Sequence, residues 1–118
     1  MLKLNSIMIG TAQSKVLADF YEKVFGHGAD MVEGEWYGWD LGSMFLSIGA
    51  HSEVHGTSQD PSRFMFNLET TEVKEEFERL KGIGAQVIKE PYEMQGAWIA
   101  TLADPDGNYF QLMTPWEK

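Results

Sequence analysis

The chain contains no cysteine among its 118 residues and only four prolines. The absence of cysteine excludes disulfides, thiolate metal sites and cysteine nucleophiles. No apolar run is long enough to cross a bilayer, and the first residues lack the apolar segment of a signal peptide. We therefore expect a cytoplasmic protein with no membrane partner.

Basic residues are also scarce, because nine Lys and Arg face 18 Asp and Glu, for a net charge of −9. Binding to a phosphate backbone needs clustered Lys and Arg, so a nucleic-acid partner is not expected. What is present is ordinary for a folded protein: 43% hydrophobic and 23% charged residues. A chain of this length predicts a single domain spanning residues 1–118.

The sequence repeats itself at an offset of 56 residues. Three apolar positions with the i, i+4, i+7 spacing of one helix face occur in both halves, which predicts two equivalent helices. Gly26 and Gly82 follow these faces, and we expect each to end its helix with a positive φ. The paired positions are Leu17 with Val73, Tyr21 with Phe77, Val24 with Leu80 and, before the helices, Ile9 with Met65.

The remaining segments have the patterning of strands, separated by glycine and Asp-Pro-Asp-Gly turns. In the first half the pattern predicts strands at 3–10, 29–34, 36–41 and 43–49, with a helix at 13–25. In the second half it predicts strands at 62–69, 85–90, 97–103 and 108–113, with a helix at 71–82. The order is βαβββ twice, in modules of about 1–56 and 57–118.

Three stretches carry a family resemblance: residues 17–26 (LADFYEKVFG), 77–85 and 104–112 (DPDGNYFQL). Together they resemble the vicinal oxygen chelate superfamily, which includes glyoxalase I, extradiol dioxygenases and bleomycin-resistance proteins. The resemblance implies an α+β fold in which two βαβββ modules form curved mixed sheets with the helices outside. It also implies a cavity between the concave faces of the modules.

Strand alternation indicates which side chains would line that cavity. This mixture of aromatic, methionine and polar side chains is typical of small-molecule pockets, although the same residues could simply fill the space between two sheets. Arg63 beside Gln111 would suit an anionic group on the ligand. The predicted ligand-binding residues are Ser6, Met8, Trp36, Trp39, Phe45, Ser47, Arg63, Met65, Asn67, Trp98, Tyr109, Gln111 and Met113.

The resemblance further implies where metal ligands would stand in metal-dependent members, one each on strands one, four, five and eight. These positions hold Leu4 or Ser6, Ser47, Arg63 and Gln111. Divalent metals prefer imidazole and carboxylate ligands, which this set lacks, so we predict no metal and no cofactor. His51 and His55 are spaced four apart in a polar loop and are expected to be solvated.

Three functions remain open at this point. The first is a metal-independent small-molecule-binding protein, which by resemblance to the bleomycin-resistance branch would be a homodimer. The second is a lyase, isomerase or dioxygenase, for which Tyr109, Glu69 or Glu93 are the candidate proton-transfer groups. The third is a non-catalytic interaction or sensor domain.

Overall fold

The computed structural model describes residues 1–115, which form two helices and eight strands in two compact units, the first Met1–Gly56 and the second beginning at Thr57. Each unit has the order βαβββ, which confirms the predicted α+β fold of two such modules. Module 1 contains β1 (Ser6–Thr11), α1 (Ser14–Phe25), β2 (Met31–Glu33), β3 (Trp36–Asp40) and β4 (Phe45–Ala50). Module 2 contains β5 (Phe66–Glu69), α2 (Val73–Gly82), β6 (Gln86–Met94), β7 (Ala97–Ala103) and β8 (Tyr109–Met113).

The two modules share one sheet topology. The strand orders are β1-β4-β3-β2 and β5-β8-β7-β6. The first strand of each module pairs parallel with the last, and the other pairs are antiparallel. A parallel pair needs a crossover connection, and the crossover includes the module's helix. Each helix packs on one face of its own sheet.

The core of module 1 lies between α1 and the sheet. Leu17 and Tyr21 of α1 are fully buried, as is Ile48 of β4. Trp39 of β3 is 1% exposed and donates a hydrogen bond from Nε1 to the His27 carbonyl at 3.0 Å. Trp39 therefore belongs to the core and not, as expected from the sequence, to a ligand surface.

The core of module 2 repeats this arrangement. Phe77 and Leu80 of α2 are buried against Leu102, Phe110 and Leu112 of the sheet. The positions that the 56-residue offset pairs on the two helices are all buried, which confirms the repeated helix face.

The strands, in contrast, correspond at a different offset. Thr11 Oγ1 accepts a hydrogen bond from the Gln13 amide, and Thr70 Oγ1 accepts the equivalent bond from the Glu72 amide. Thr70 stands 59 positions after Thr11, whereas the helix faces repeat after 56 positions. The strands that precede the two helices therefore correspond at an offset three residues larger than that of the helix faces. Ile9 therefore corresponds to Leu68, and the predicted match of Ile9 with Met65 is wrong.

The helix ends differ in a related way. Gly26 follows α1 with a φ of +85°, as predicted. Gly82 is instead the last residue of α2, and the left-handed residue is Gly84, with a φ of +102°. α2 thus ends at residue 82, as its predicted range has it, but the left-handed residue comes two positions later than the glycine pattern predicts.

Three strand boundaries also need correction. β1 and β5 begin three and four residues later than predicted, and a turn closed by the Arg63 amide on the Asp60 carbonyl precedes β5. β6 runs on to Met94, because two register shifts after Val87 and Lys89 let it continue past the predicted end. Among the described residues, no helix combines the length and the hydropathy that a membrane span would require.

Candidate functional site

Each sheet has one face against its helix and one face away from it, which we call the open face. In module 2 part of this face is buried, at Ile99, Thr101 and Ala103. In module 1 the register shows which residues share the open face, because directly paired residues point to the same side. Met8 pairs with Ser47 and Ser47 with Gly38, whereas the alternating positions, such as Ile48, are buried on the helix side. We define the module 1 open face as Ser6, Met8, Gly10, Met31, Glu33, Trp36, Gly38, Asp40, Phe45, Ser47 and Gly49.

Two aromatic rings on this face lie over glycines. A Cβ added at Gly49 would overlap the Trp36 indole, and one added at Gly38 would overlap the Phe45 ring. Both glycines are buried beneath these rings. Because any larger residue would displace the rings, we conclude that the two glycines let the rings lie close to the sheet.

Other side chains on this face are accessible. Met8 is 53% exposed and Trp36 is 38% exposed. Ser6 and Ser47 carry hydroxyls on the same face. Ser6 pairs with Phe45, and Ser47 pairs with Met8. The surface therefore combines aromatic and thioether groups with a few hydrogen-bonding groups, the composition of a small-molecule site.

One end of the face is covered by the segment after β4. A Cβ at Gly10 would lie 3.1 Å from His51 Cβ and 3.3 Å from Val54 Cγ2. His51 Nδ1 accepts a hydrogen bond from the Glu53 amide at 3.2 Å, so this histidine helps to fold the loop.

The open face of module 2 is more polar. Gln111 of β8 donates from Nε2 to Thr101 Oγ1 at 3.1 Å, and its partner on β5 is Asn67. The structure thus places Asn67 beside Gln111, where the sequence predicted Arg63. Arg63 lies before β5 with a side chain that is 71% exposed, 3.8 Å from the Asp60 carboxylate. The predicted strand began too early. The alternation that assigned Arg63 to the cavity face was therefore applied to residues that lie outside the sheet.

The candidate proton-transfer groups of this module do not converge. Glu69 pairs with Met113 at one end of the sheet, and Tyr109 begins β8 at the other end. Glu69 and Tyr109 are therefore four strand residues apart along the sheet, which corresponds to roughly 13 Å. Tyr109 and Glu69 therefore cannot share one proton, and Glu93 pairs with Trp98 on the opposite, helix-covered face.

Trp98 was expected to line the ligand cavity, but it lies on the helix side of module 2. The Lys74 ammonium lies 3.8 Å from the centre of the Trp98 ring, and the Trp98 backbone amide donates a hydrogen bond to Thr114 Oγ1. A cavity of about 160 Å³ is found here, lined by Thr71, Val73, Lys74, Glu75, Trp98 and Thr114. Trp98 therefore lies on the opposite side of its sheet from the module 2 open face.

The donor chemistry does not fit the metal of the metal-dependent relatives. Within residues 1–115 no three His, Cys, Asp or Glu side chains are grouped so that they could hold an ion. At the paired positions of the open faces stand a thioether, a hydroxyl and two amides, in Met8, Ser47, Asn67 and Gln111. Neutral oxygens and a thioether are poor ligands for a catalytic divalent ion.

The predicted ligand-binding residues thus separate into three groups. The open faces carry Ser6, Met8, Trp36, Phe45 and Ser47 in module 1 and Asn67, Tyr109, Gln111 and Met113 in module 2. Met65 lies just before β5 and is 39% exposed, while Trp39, Trp98 and Arg63 lie elsewhere. Sequence reasoning missed Met31 and Glu33, although the Gly34 turn places β2 directly against β3.

Comparison with known proteins agrees with this architecture. The model of a family described as a glyoxalase-like domain matches residues 6–113. The chain is similar to a glyoxalase-related enzyme from Fulvimarina pelagi, with a TM-score of 0.82 and 22% identity over 98% of this chain and 89% of that one.

Two further solved structures are similar. A glyoxalase/bleomycin resistance protein/dioxygenase family enzyme from Burkholderia phytofirmans PsJN gives a TM-score of 0.79 and 25% identity over 96% of this chain and 98% of that one. A glyoxalase/bleomycin resistance protein from Albidiferax ferrireducens T118 gives a TM-score of 0.76 and 20% identity over 95% of this chain and 98% of that one. None of the curated proteins compared matches this chain.

Proposed function

Because the chain belongs to the glyoxalase-like domain family, we propose that it is a small-molecule-binding protein that works without a bound metal. The family supplies the scaffold, and the same scaffold carries several functions. The choice among them therefore depends on the side chains of the open faces.

One observation carries the proposal: the Trp36 and Phe45 rings lie over Gly49 and Gly38, with Met8 accessible on the same face. A flat ring supported by the sheet loses little side-chain freedom when a ligand stacks on it. Ser6 and Ser47 add hydroxyls that can orient the ligand. The surface is therefore prepared for an aromatic or otherwise flat compound.

Binding is favoured over catalysis for two reasons. General acid–base catalysis requires groups that reach the same substrate atom, and Tyr109 and Glu69 stand at opposite ends of their sheet. In addition, no three His, Cys, Asp or Glu side chains within residues 1–115 are grouped so that they could hold a metal that activates a substrate. Resemblance to bleomycin-resistance proteins leads us to propose, in addition, a cytoplasmic homodimer.

A thermal-shift screen with small aromatic compounds tests the proposal. A compound that binds the native state at 100 times its Kd should raise Tm by roughly 10 °C. Trp36→Ala should abolish this rise, because it removes the larger ring of the surface. Trp98→Phe is the matched control, since it alters a tryptophan on the helix side of module 2 and should leave binding intact.

Two results would contradict the proposal. Silence across a broad screen at millimolar concentrations would favour the interaction or sensor hypothesis. Equal loss of binding in the Trp36 and Trp98 variants would show that the module 1 open face is not the binding surface.

A further inference from the structure

The charges around the module 1 open face are of one sign. Glu33 pairs directly with Trp36 across the β2–β3 turn, and Asp40 pairs with Phe45. Each aromatic residue of the surface thus has a carboxylate beside it on the same face. Both acids are solvent-exposed, and Asp40 Oδ1 accepts a hydrogen bond from the Gly42 amide at 2.9 Å.

The Lys residues of module 1 lie outside the four strands that form this face, and Lys3 precedes β1. The strands β1 to β4 contain no Lys, Arg or His. Lys15 and Lys23 belong to α1, which packs on the opposite side of the sheet, and Lys15 is bound to Asp19 at 2.7 Å. Nothing on the four strands therefore neutralises Glu33 or Asp40.

The spacing of the rings indicates the size of ligand that the surface suits. Gly38 and Gly49, on which the rings lie, are diagonal neighbours across β3 and β4, about 7–8 Å apart. A single six-membered ring covers one of the two aromatics, whereas a fused bicyclic or tricyclic system reaches both. Met31 borders the same surface, with its Cε 3.4 Å from the position of a Gly38 Cβ.

We propose that the module 1 open face selects flat aromatic cations, with Trp36 and Phe45 stacking on the ligand and Glu33 and Asp40 choosing its charge. This inference rests on the proposed function and adds a substrate class to it. The indole face attracts cations through its quadrupole, and a neighbouring carboxylate adds to that attraction. An anionic ligand would meet repulsion from both acids, so the surface discriminates by charge as well as by shape.

The test compares three probes of nearly equal shape: N-methylquinolinium, quinoline and quinaldate, which are cationic, neutral and anionic at neutral pH. Binding is measured by isothermal titration calorimetry at low and high salt. We expect the cation to bind about tenfold more tightly than the neutral probe, and its advantage to shrink at high salt. Quinaldate should bind more weakly than quinoline.

Two variants separate charge from stacking. Glu33→Gln should lower the affinity for N-methylquinolinium roughly threefold, because an exposed ion pair contributes modestly to binding. The affinity for quinoline should be unchanged. Asp19→Asn removes the same charge from α1 and should change neither affinity. Gly49→Ala should lower the affinity for both N-methylquinolinium and quinoline, because the new Cβ displaces the Trp36 ring.

The outcomes distinguish this inference from the proposed function. Equal affinity for all three probes would overturn charge selection while leaving small-molecule binding in place. Tighter binding of quinaldate would also overturn it. If none of the three probes binds at millimolar concentration, both the inference and the proposed aromatic surface are wrong.

Discussion

Asp104 and Asn108 are joined across the turn between β7 and β8 by a side-chain hydrogen bond of 2.9 Å from Asn108 Nδ2 to Asp104 Oδ2. Asp104 Oδ1 also accepts bonds from the backbone amides of Asp106 and Asn108, at 2.9 and 3.0 Å. Asp104 is only 4% exposed. The Asp-Pro-Asp-Gly-Asn motif is therefore a turn whose first carboxylate organises the residues after it, and this turn fixes the start of β8.

Asp104→Ala should lower the free energy of unfolding by about 2–4 kcal/mol, because it leaves buried amides without their acceptor. Urea denaturation followed by circular dichroism measures the change. Asp60→Ala is the control, since its carboxylate is largely exposed and 3.8 Å from Arg63, and it should cost less than about 0.5 kcal/mol. Similar losses in the two variants would show that the buried turn is not important for stability.

Gly82 and Gly84 should respond in opposite directions to alanine. Gly82 is helical and a Cβ there meets nothing within 4 Å, so Gly82→Ala should stabilise the protein by about 0.5–1 kcal/mol. Gly84 has a φ of +102°, so Gly84→Ala should destabilise it by about 1–2 kcal/mol. Thermal melts of the two variants against the parent test this pair. A Gly82 variant that melts earlier would show that Gly82 itself is the left-handed residue that ends α2, as the repeat pattern suggested.

Trp39→Phe should destabilise the protein by about 1–3 kcal/mol. The substitution removes the Nε1 donor to the His27 carbonyl and leaves a gap beside Phe25, whose ring centre lies 5.7 Å from that of Trp39. Trp36→Phe, on the open face, should change stability by less. Measured melting temperatures in the reverse order would show that Trp36 and Trp39 have been assigned to the wrong faces.

Chelation should leave the protein unchanged. With any affinity tag removed, dialysis against EDTA should not lower Tm, and added Ni²⁺, Zn²⁺ or Mn²⁺ should not raise it, because no three metal-ligating side chains of residues 1–115 are grouped around one point. Elemental analysis of the untreated protein provides an independent measurement. A stoichiometric divalent ion that EDTA removes with a fall in Tm would contradict the metal-independent proposal.

The candidate site was predictable only where the strands were bounded correctly. Alternation placed Ser6, Met8, Phe45 and Ser47 on one face, and the register confirms that they share it. Arg63 was misplaced, because nothing in the sequence marks Phe66 as the start of β5. Which faces Trp39 and Trp98 occupy was equally hidden, since an aromatic residue suits a core and a ligand surface alike.

The sequence by itself determined the duplication, the two helix faces and the order of the strands, because these depend on local periodicity and on glycine at turns. Only the tertiary structure decided which residues stand opposite each other across the strands. Cross-strand pairing joins residues that are distant in the chain, so no local pattern shows that Trp36 lies on Gly49 or that Glu33 stands beside Trp36. The family was readable in the sequence, whereas the charge of the open face was not.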